Sequence, residues 1–222
     1  GSLGAVAGIL AAYIHREKTG EGQFVDVSMT DWAMCWITHH AGTWLVGGEN
    51  PEREEMSLNG GLYYNYYETQ DGRHISVGSL EPQFWRQFCA AIGRPDFEPR
   101  GHVFGEEQQI LKKEIREIVR GKTFAEWTEI FAKLDACVEP VLTVSEAAAH
   151  PQNVAREMIA EVPKLSGGTQ KQVGTPFKFS ATKPELKFAG VQVGLHTDEV
   201  LKESGYSAAE IEGLRAAGVF GS

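Results

Sequence analysis

Apolar residues recur at helical spacing at the start of the chain, at Leu3, Val6, Ala7, Leu10, Ala11 and Ile14. The pattern predicts a helix with Ser2 in place to cap it. Its small residues (Gly4, Ala5, Ala7, Gly8, Ala11 and Ala12) let its backbone pack closely against a neighbour. Lys18-Thr19-Gly20-Glu21-Gly22 reads as a turn. The period then changes to two over residues 23–29, with Val25, Val27 and Met29 on one side, which predicts a strand. Thr30 or Asp31 is placed to cap a following helix with Trp32, Cys35, Trp36 and His39 on one stripe. Residues 47–61 are polar and acidic (Glu49, Glu52, Glu54, Glu55) and read as a linker.

Beyond that linker the chain changes character. Residues 62–68 form a strand dense in tyrosine, with Tyr64 and Tyr66 on one face and Tyr63 and Tyr67 on the other. A half-buried wall explains such a strand more readily than a ligand platform does, because aromatics favour sheets. Asp71-Gly72 turns the chain into a second strand ending at Gly78, and Pro82 opens a helix over 83–92. Residues 106–120 are amphipathic, with Ile110, Leu111, Ile115, Ile118 and Val119 as the apolar face. Thr123 and Glu126 form a capping box for a helix carrying Trp127, Ile130, Phe131 and Leu134.

The remainder is built of short elements. A strand over 138–144 contains Pro140, which makes it an edge or a strand end. Residues 145–158 read as helix in two pieces around His150-Pro151. Ser166-Gly167-Gly168 turns a hairpin between strands near Ala160 and Val173, and residues 176–184 form a linker. Two short helices close the chain at 197–202 and 207–216, the second with a Ser207 and Glu210 capping box. The order gives an α/β class of α+β character. The first 60 residues offer one strand and cannot make a sheet alone.

Composition narrows the function. With 222 residues the chain is long enough for a good core, and 42% hydrophobic with 23% charged residues is ordinary for a globular protein. The 21 basic and 30 acidic residues leave a formal charge of −9, and no basic stripe suits nucleic acid. A local pocket for an anionic ligand stays open. Cys35, Cys89 and Cys137 are odd in number and lack CxxC spacing, which points to free thiols in a reducing compartment and against zinc. Cys137 lies in an apolar run and reads as core rather than nucleophile. The apolar opening is far shorter than the roughly 20 residues a bilayer requires, and it lacks a basic leader. A cytoplasmic protein with no membrane partner is expected. Gly-Ser stands at both ends, as an engineered joint would leave.

One carboxylate stands out by position. Glu81 sits at a strand-to-helix junction, beside the positive end of the Pro82 helix dipole. Such junctions often carry ligand-binding groups in α/β proteins. An ordinary cap, worth about 0.3–1 kcal/mol, explains an acid there equally simply.

Several phrases resemble the family III CoA-transferases, the group that includes the α-methylacyl-CoA racemases. They are Gly8-Ile9-Leu10-Ala11-Ala12, then Thr19-Gly20-Glu21-Gly22-Gln23-Phe24-Val25-Asp26-Val27-Ser28, Asp135-Ala136-Cys137-Val138-Glu139-Pro140-Val141-Leu142, His196-Thr197-Asp198-Glu199-Val200-Leu201, and Leu214-Arg215-Ala216-Ala217-Gly218-Val219. Asp71-Gly72-Arg73 and the stretch from Val77 to Phe84 are similar to the racemase branch. Transferases of the formyl-CoA type usually carry a glycine-rich loop there, which this chain lacks.

The resemblance implies the C-terminal part of that fold. Residues 1–60 would be a partial segment of a larger α/β domain with its linker, and 61–180 a small α+β domain. Residues 181–222 would return to the larger domain. It implies an acyl-CoA thioester as substrate, no covalently bound cofactor, no metal, and a homodimer or self-association through exposed helices. Glu81 would line the active site and assist an acid/base pair, with Tyr64 and Gly78 as substrate-binding wall. Arg16 or Lys18 would lend cationic help, although charges at a helix end are ordinarily solvated.

Racemisation needs an acid and a base on opposite faces of the α-carbon, whereas transfer needs a carboxylate nucleophile. In the family both come from an N-terminal half, and this chain is expected to begin just after the transferase aspartate. None of Asp31, His39, His40, His74 or His102 stands at a matching position. Three readings follow: α-proton exchange on a 2-methylacyl-CoA when complete, CoA transfer to a carboxylic acid, or a non-catalytic assembly module.

Overall fold

Helix α1 (Ser2–Thr19) ends where Gly20 takes a left-handed φ of 79° and returns its N–H to the Arg16 carbonyl. The computed structural model describes residues 1–220, so the closing Gly221-Ser222 pair lies outside the described residues. Ser2 is inside α1 rather than capping it; Gly1 holds the cap position. The close packing expected of the small residues is present. A Cβ on Gly4 would stand 2.1 Å from Trp32 Nε1, and one on Gly8 would stand 2.9 Å from Val25 Cγ1.

Val25 and Val27 do turn together toward Gly8, yet residues 21–28 are not a strand. No strand among the described residues runs beside them, and alternation without a ladder partner leaves only extended chain. Ser28, not Thr30 or Asp31, caps the next helix, its Oγ accepting from the Asp31 N–H at 3.3 Å. That helix is also interrupted. It runs as α2 (Met29–Trp36) and resumes as α3 (Thr38–Gly47). Thr38 Oγ1 donates to the Cys35 carbonyl at 2.6 Å, competing with the backbone ladder at the break.

Contacts divide the chain into two units, Gly1–Val141 and Leu142 onward. The first contains the main core. Strands β1 (Asn65–Glu68), β2 (His74–Val77) and β3 (Val138–Pro140) form an antiparallel sheet in that order, with Tyr67 opposite Ile75 and Val77 opposite Val138. Those four side chains are buried. Against them lie α4 (Pro82–Ala91), a 3-10 helix (Pro95–Arg100), α5 (Gly105–Val119) and α6 (Phe124–Phe131).

Aromatic rings run through this core in file: Tyr63 on Trp85 at 3.7 Å, then Phe88 at 5.5 Å, Phe131 at 5.9 Å and Trp127 at 5.6 Å. Their polar tips are satisfied, Trp85 Nε1 by the Glu98 carbonyl at 3.0 Å and Trp127 Nε1 by the Val119 carbonyl at 2.8 Å. Leu111, Ile115 and Val119 of α5 are buried as their spacing requires, but Ile110 is 50% exposed. It precedes Leu111 and so faces outward by about 100° on the helix. Leu134 also falls outside α6 and is partly exposed.

The second unit is lighter. Thr143 and Glu146 form a capping box for α7 (Val144–Ala149), and α8 (Pro151–Ala155) follows with His150 as its N-cap. The expected strand over 138–144 is therefore cut short by a helix. Strands β4 (Ile159–Pro163) and β5 (Thr169–Val173) form the hairpin turned by Ser166-Gly167-Gly168. Helices α9 (Thr197–Glu203) and α10 (Ala208–Ala216) close the unit, with the Ser207 and Glu210 box in place and Arg215 bonded to Asp198.

The aromatic file carries the first unit's stability. Phe88→Ala is expected to cost about 3–5 kcal/mol by urea denaturation of the whole chain. Ile110→Ala, on the exposed side of α5, is expected to stay within about 0.5 kcal/mol. Equal costs would contradict this assignment of the core.

Candidate active site

The sheet's outward face supplies the floor of a site. Tyr66 lies opposite Ser76, and Ser76 opposite Glu139, in one row across the three strands. Tyr63 and Tyr67 are in the core and Tyr64 and Tyr66 on this other side, as expected, although the strand is shorter than expected and Tyr63 and Tyr64 lie in the chain that enters it. Tyr64, Tyr66, Ser76, Gly78 and Glu139 line a cavity of about 660 Å³ with Cys137 and a segment that includes Arg53, Glu54, Leu58 and Gly60. The cavity mixes cationic, anionic, aromatic and aliphatic groups, a lining suited to a ligand with both polar and apolar parts.

Gly78 has a geometric reason to be glycine. Its N–H donates to the Cys137 carbonyl at 2.8 Å, and a Cβ there would stand 3.3 Å from that oxygen and 3.5 Å from the Tyr64 ring. A side chain there would crowd the Cys137 carbonyl and meet the Tyr64 ring at ordinary contact distance. Ser79, next in line, is fully buried. Its Oγ donates to the Ala136 carbonyl at 2.6 Å, and its own carbonyl accepts from the Tyr63 hydroxyl at 2.7 Å. These bonds fix the turn that leads to Glu81.

Glu81 itself is the N-cap of α4, with extended backbone (φ −72°, ψ 144°), and its carbonyl accepts from the Phe84 and Trp85 N–H groups at 3.0 Å. Its side chain makes no capping bond and is exposed. The structure thus brings Tyr64 and Gly78 together in the cavity and leaves Glu81 outside its lining, three residues beyond Gly78. Its charge still reaches inward, because it helps raise both the Tyr63 hydroxyl and the Cys137 thiol.

Cys137 corrects the sequence reading. It is exposed rather than in the core, because a φ of 48° turns it out of the strand and into the cavity. Desolvation first, then the carboxylates of Glu81, Asp135 and Glu139, push its thiol above the usual range. An exposed thiol held protonated is a poor nucleophile.

Glu54 and Lys112 were not singled out in the sequence. The Lys112 side chain has no exposed surface and pairs with Glu54 at 2.8 Å, which holds the Glu54 carboxyl below the usual range. The signal was present: Lys112 sits one turn after Gln108 and beside Leu111 on the buried side of α5. Arg16 pairs with exposed Glu17 at 3.2 Å at the end of α1, and neither Arg16 nor Lys18 lines the cavity. His39 and His40 meet edge to face at 5.7 Å, also away from it. Among the described residues no group of three or more His, Cys, Asp or Glu could hold a metal ion, and no helix is long and apolar enough to cross a membrane.

Comparison with known proteins matches residues 1–197 to the profile of CoA-transferase family III. The chain is 32% identical to the α-methylacyl-CoA racemase of Mus musculus over 95% of its own length and 55% of that protein. It is 30% identical to a formyl-CoA:oxalate CoA-transferase of Escherichia coli over 94% of its length and 56% of that protein. A CaiB/BaiF family protein from Brucella suis has the same fold, with a TM-score of 0.67 and 21% identity over 89% of this chain and 52% of that one. The chain spans about half the length of the relatives it matches.

The raised Cys137 thiol has a direct consequence. Because its thiolate is disfavoured, its alkylation by iodoacetamide is expected to reach half its maximal rate above about pH 8.5, where a free thiol is half ionised. Peptide mapping across pH 6–10 checks this, and a midpoint at or below about pH 8.5 would contradict it.

Proposed function

The chain belongs to CoA-transferase family III, and on that premise we propose that it is the C-terminal portion of an acyl-CoA enzyme of the racemase type. When complete, that enzyme exchanges the α-proton of a 2-methylacyl-CoA. The observation that supports this reading most is the 32% identity to a racemase across 95% of the chain. Residues 1–60 and 181–222 belong, in this reading, to a larger domain, and 61–180 to the small domain beside the substrate. The acyl-CoA thioester is the ligand, with no covalently bound cofactor.

The chemistry assigns modest roles to this chain. Racemisation removes the α-proton to a base on one face and returns one from an acid on the other, with the enolate stabilised between. Tyr64 and Gly78 form substrate wall, with the Tyr64 ring lying close against Gly78. Glu81, exposed at the helix start, supports the acid/base pair through its charge rather than by moving the proton. The pair itself comes from the N-terminal half, in a cytoplasmic enzyme.

Exposed apolar residues favour a second reading, the non-catalytic assembly module. Leu3, Ile9, Met29, Trp36, Leu45 and Val46 of the first three helices are all more than half exposed, and apolar surface on this scale favours association. A second copy of the chain is the occupant proposed.

Deuterium incorporation at C2 of a 2-methylacyl-CoA in D2O tests the leading reading. The chain alone is expected to give none above buffer, and the chain joined to its N-terminal half is expected to give exchange without CoA transfer. Exchange by the chain alone would refute the division of roles. Transfer of CoA to an added carboxylic acid without exchange would replace the racemase by a transferase. Light scattering of the chain alone is expected to exceed the 24.4 kDa of one copy; a monomer would contradict the association.

A further inference from the structure

Lys112 and Gln108 are fully buried polar side chains one turn apart on α5, and between them they reach Glu54, Gly60, Tyr63 and Val103. Lys112 Nζ donates to Glu54 Oε2 at 2.8 Å and to the Gly60 carbonyl. Gln108, with its amide oriented to satisfy both ends, accepts from the Tyr63 N–H at 2.6 Å and donates to the Val103 carbonyl at 2.8 Å. Residues 54–60 therefore form a strap whose two ends meet on one nitrogen.

The strap is tightly folded. Glu54 and Gly60 have left-handed φ of 60° and 81°, residues Ser57–Gly61 make a π-helical turn, and a Cβ on Gly61 would stand 2.1 Å from the Glu55 carbonyl. A non-glycine residue at positive φ is held there only by its surroundings. Glu54, Leu58 and Gly60 from this strap line the cavity, with the strands as the remaining wall. A buried cationic nitrogen without partners is strongly disfavoured, so the partners must follow it. The strap's place is thus set from inside the core.

We propose that Lys112 is a positioning residue of the cavity, which holds both ends of strap 54–60 as a ligand-facing wall while Gln108 fixes the approach to β1. The effect on ligand affinity rests on the acyl-CoA reading above; the order of the strap does not.

The test uses the whole chain and two readouts, amide hydrogen exchange by peptide and calorimetric affinity for coenzyme A. In Lys112→Met, exchange in 54–61 is expected to accelerate about tenfold or more, with the sheet and α4 to α6 near wild type. Coenzyme A affinity is expected to fall about tenfold, and Leu58→Ala to weaken it in the wild-type background but not in Lys112→Met. Additive losses, unchanged exchange in 54–61, or acceleration spread through the core would each overturn the proposal. Should Lys112→Met fail to fold, Glu54→Gln decides by the same local exchange, faster in support and unchanged against. If the wild-type chain does not bind coenzyme A, the acyl-CoA reading fails while the exchange result still judges the strap.

Discussion

Tyr63 is completely buried, so its hydroxyl must find a partner inside the protein, and the Ser79 carbonyl supplies it. That one bond joins the entry of β1 to the turn between β2 and α4. The ring stacks on Trp85 and so draws α4 against the sheet, while the Tyr63 carbonyl accepts from the Tyr67 hydroxyl at 2.7 Å. Gln108 takes the remaining N–H. Every polar atom of a buried residue is thereby used to align the two chain segments that carry Tyr64 and Gly78. Burial pushes the Tyr63 hydroxyl above its usual range, which favours the protonated, donating form.

From this follows the shape of the cavity. Ser79 is tied on both sides, to Tyr63 and to Ala136, which leaves the Gly78 face toward Cys137 and Tyr64 little freedom. The strap from Glu54 to Gly60 closes the remaining side, tied to α5 rather than to the sheet. Two independent anchors thus hold two walls, both rooted in the same core. Glu81 stands just beyond one of them, and its influence on the site is electrostatic.

What was legible in the sequence is what depends on near neighbours in the chain. Capping boxes at Thr123 and Ser207, the break at His150-Pro151 and the hairpin at Gly167-Gly168 rest on a few adjacent residues, and they stand as read. The two tyrosine faces also stand, although Tyr64 meets the cavity from the chain just before β1 rather than from within the strand. Residues 23–29 alternate as a strand does, but a ladder requires a partner that spacing cannot supply. Cys137 reads as apolar until its positive φ is known. Lys112 and Glu54 are 58 residues apart, and their pairing depends on tertiary structure alone. A lysine among the buried positions of α5 was the available sign.

The central claim is that the cavity between the strap and the sheet receives an acyl-CoA. Photolabelling with an acyl-CoA carrying a diazirine on its acyl group tests it most directly, with the labelled residues located by mass spectrometry. Labelling that free coenzyme A competes away, on residues 53–66 and 137–139, is the expected result. Competed labelling confined to residues 142–220, or no competed labelling at all, would contradict the account.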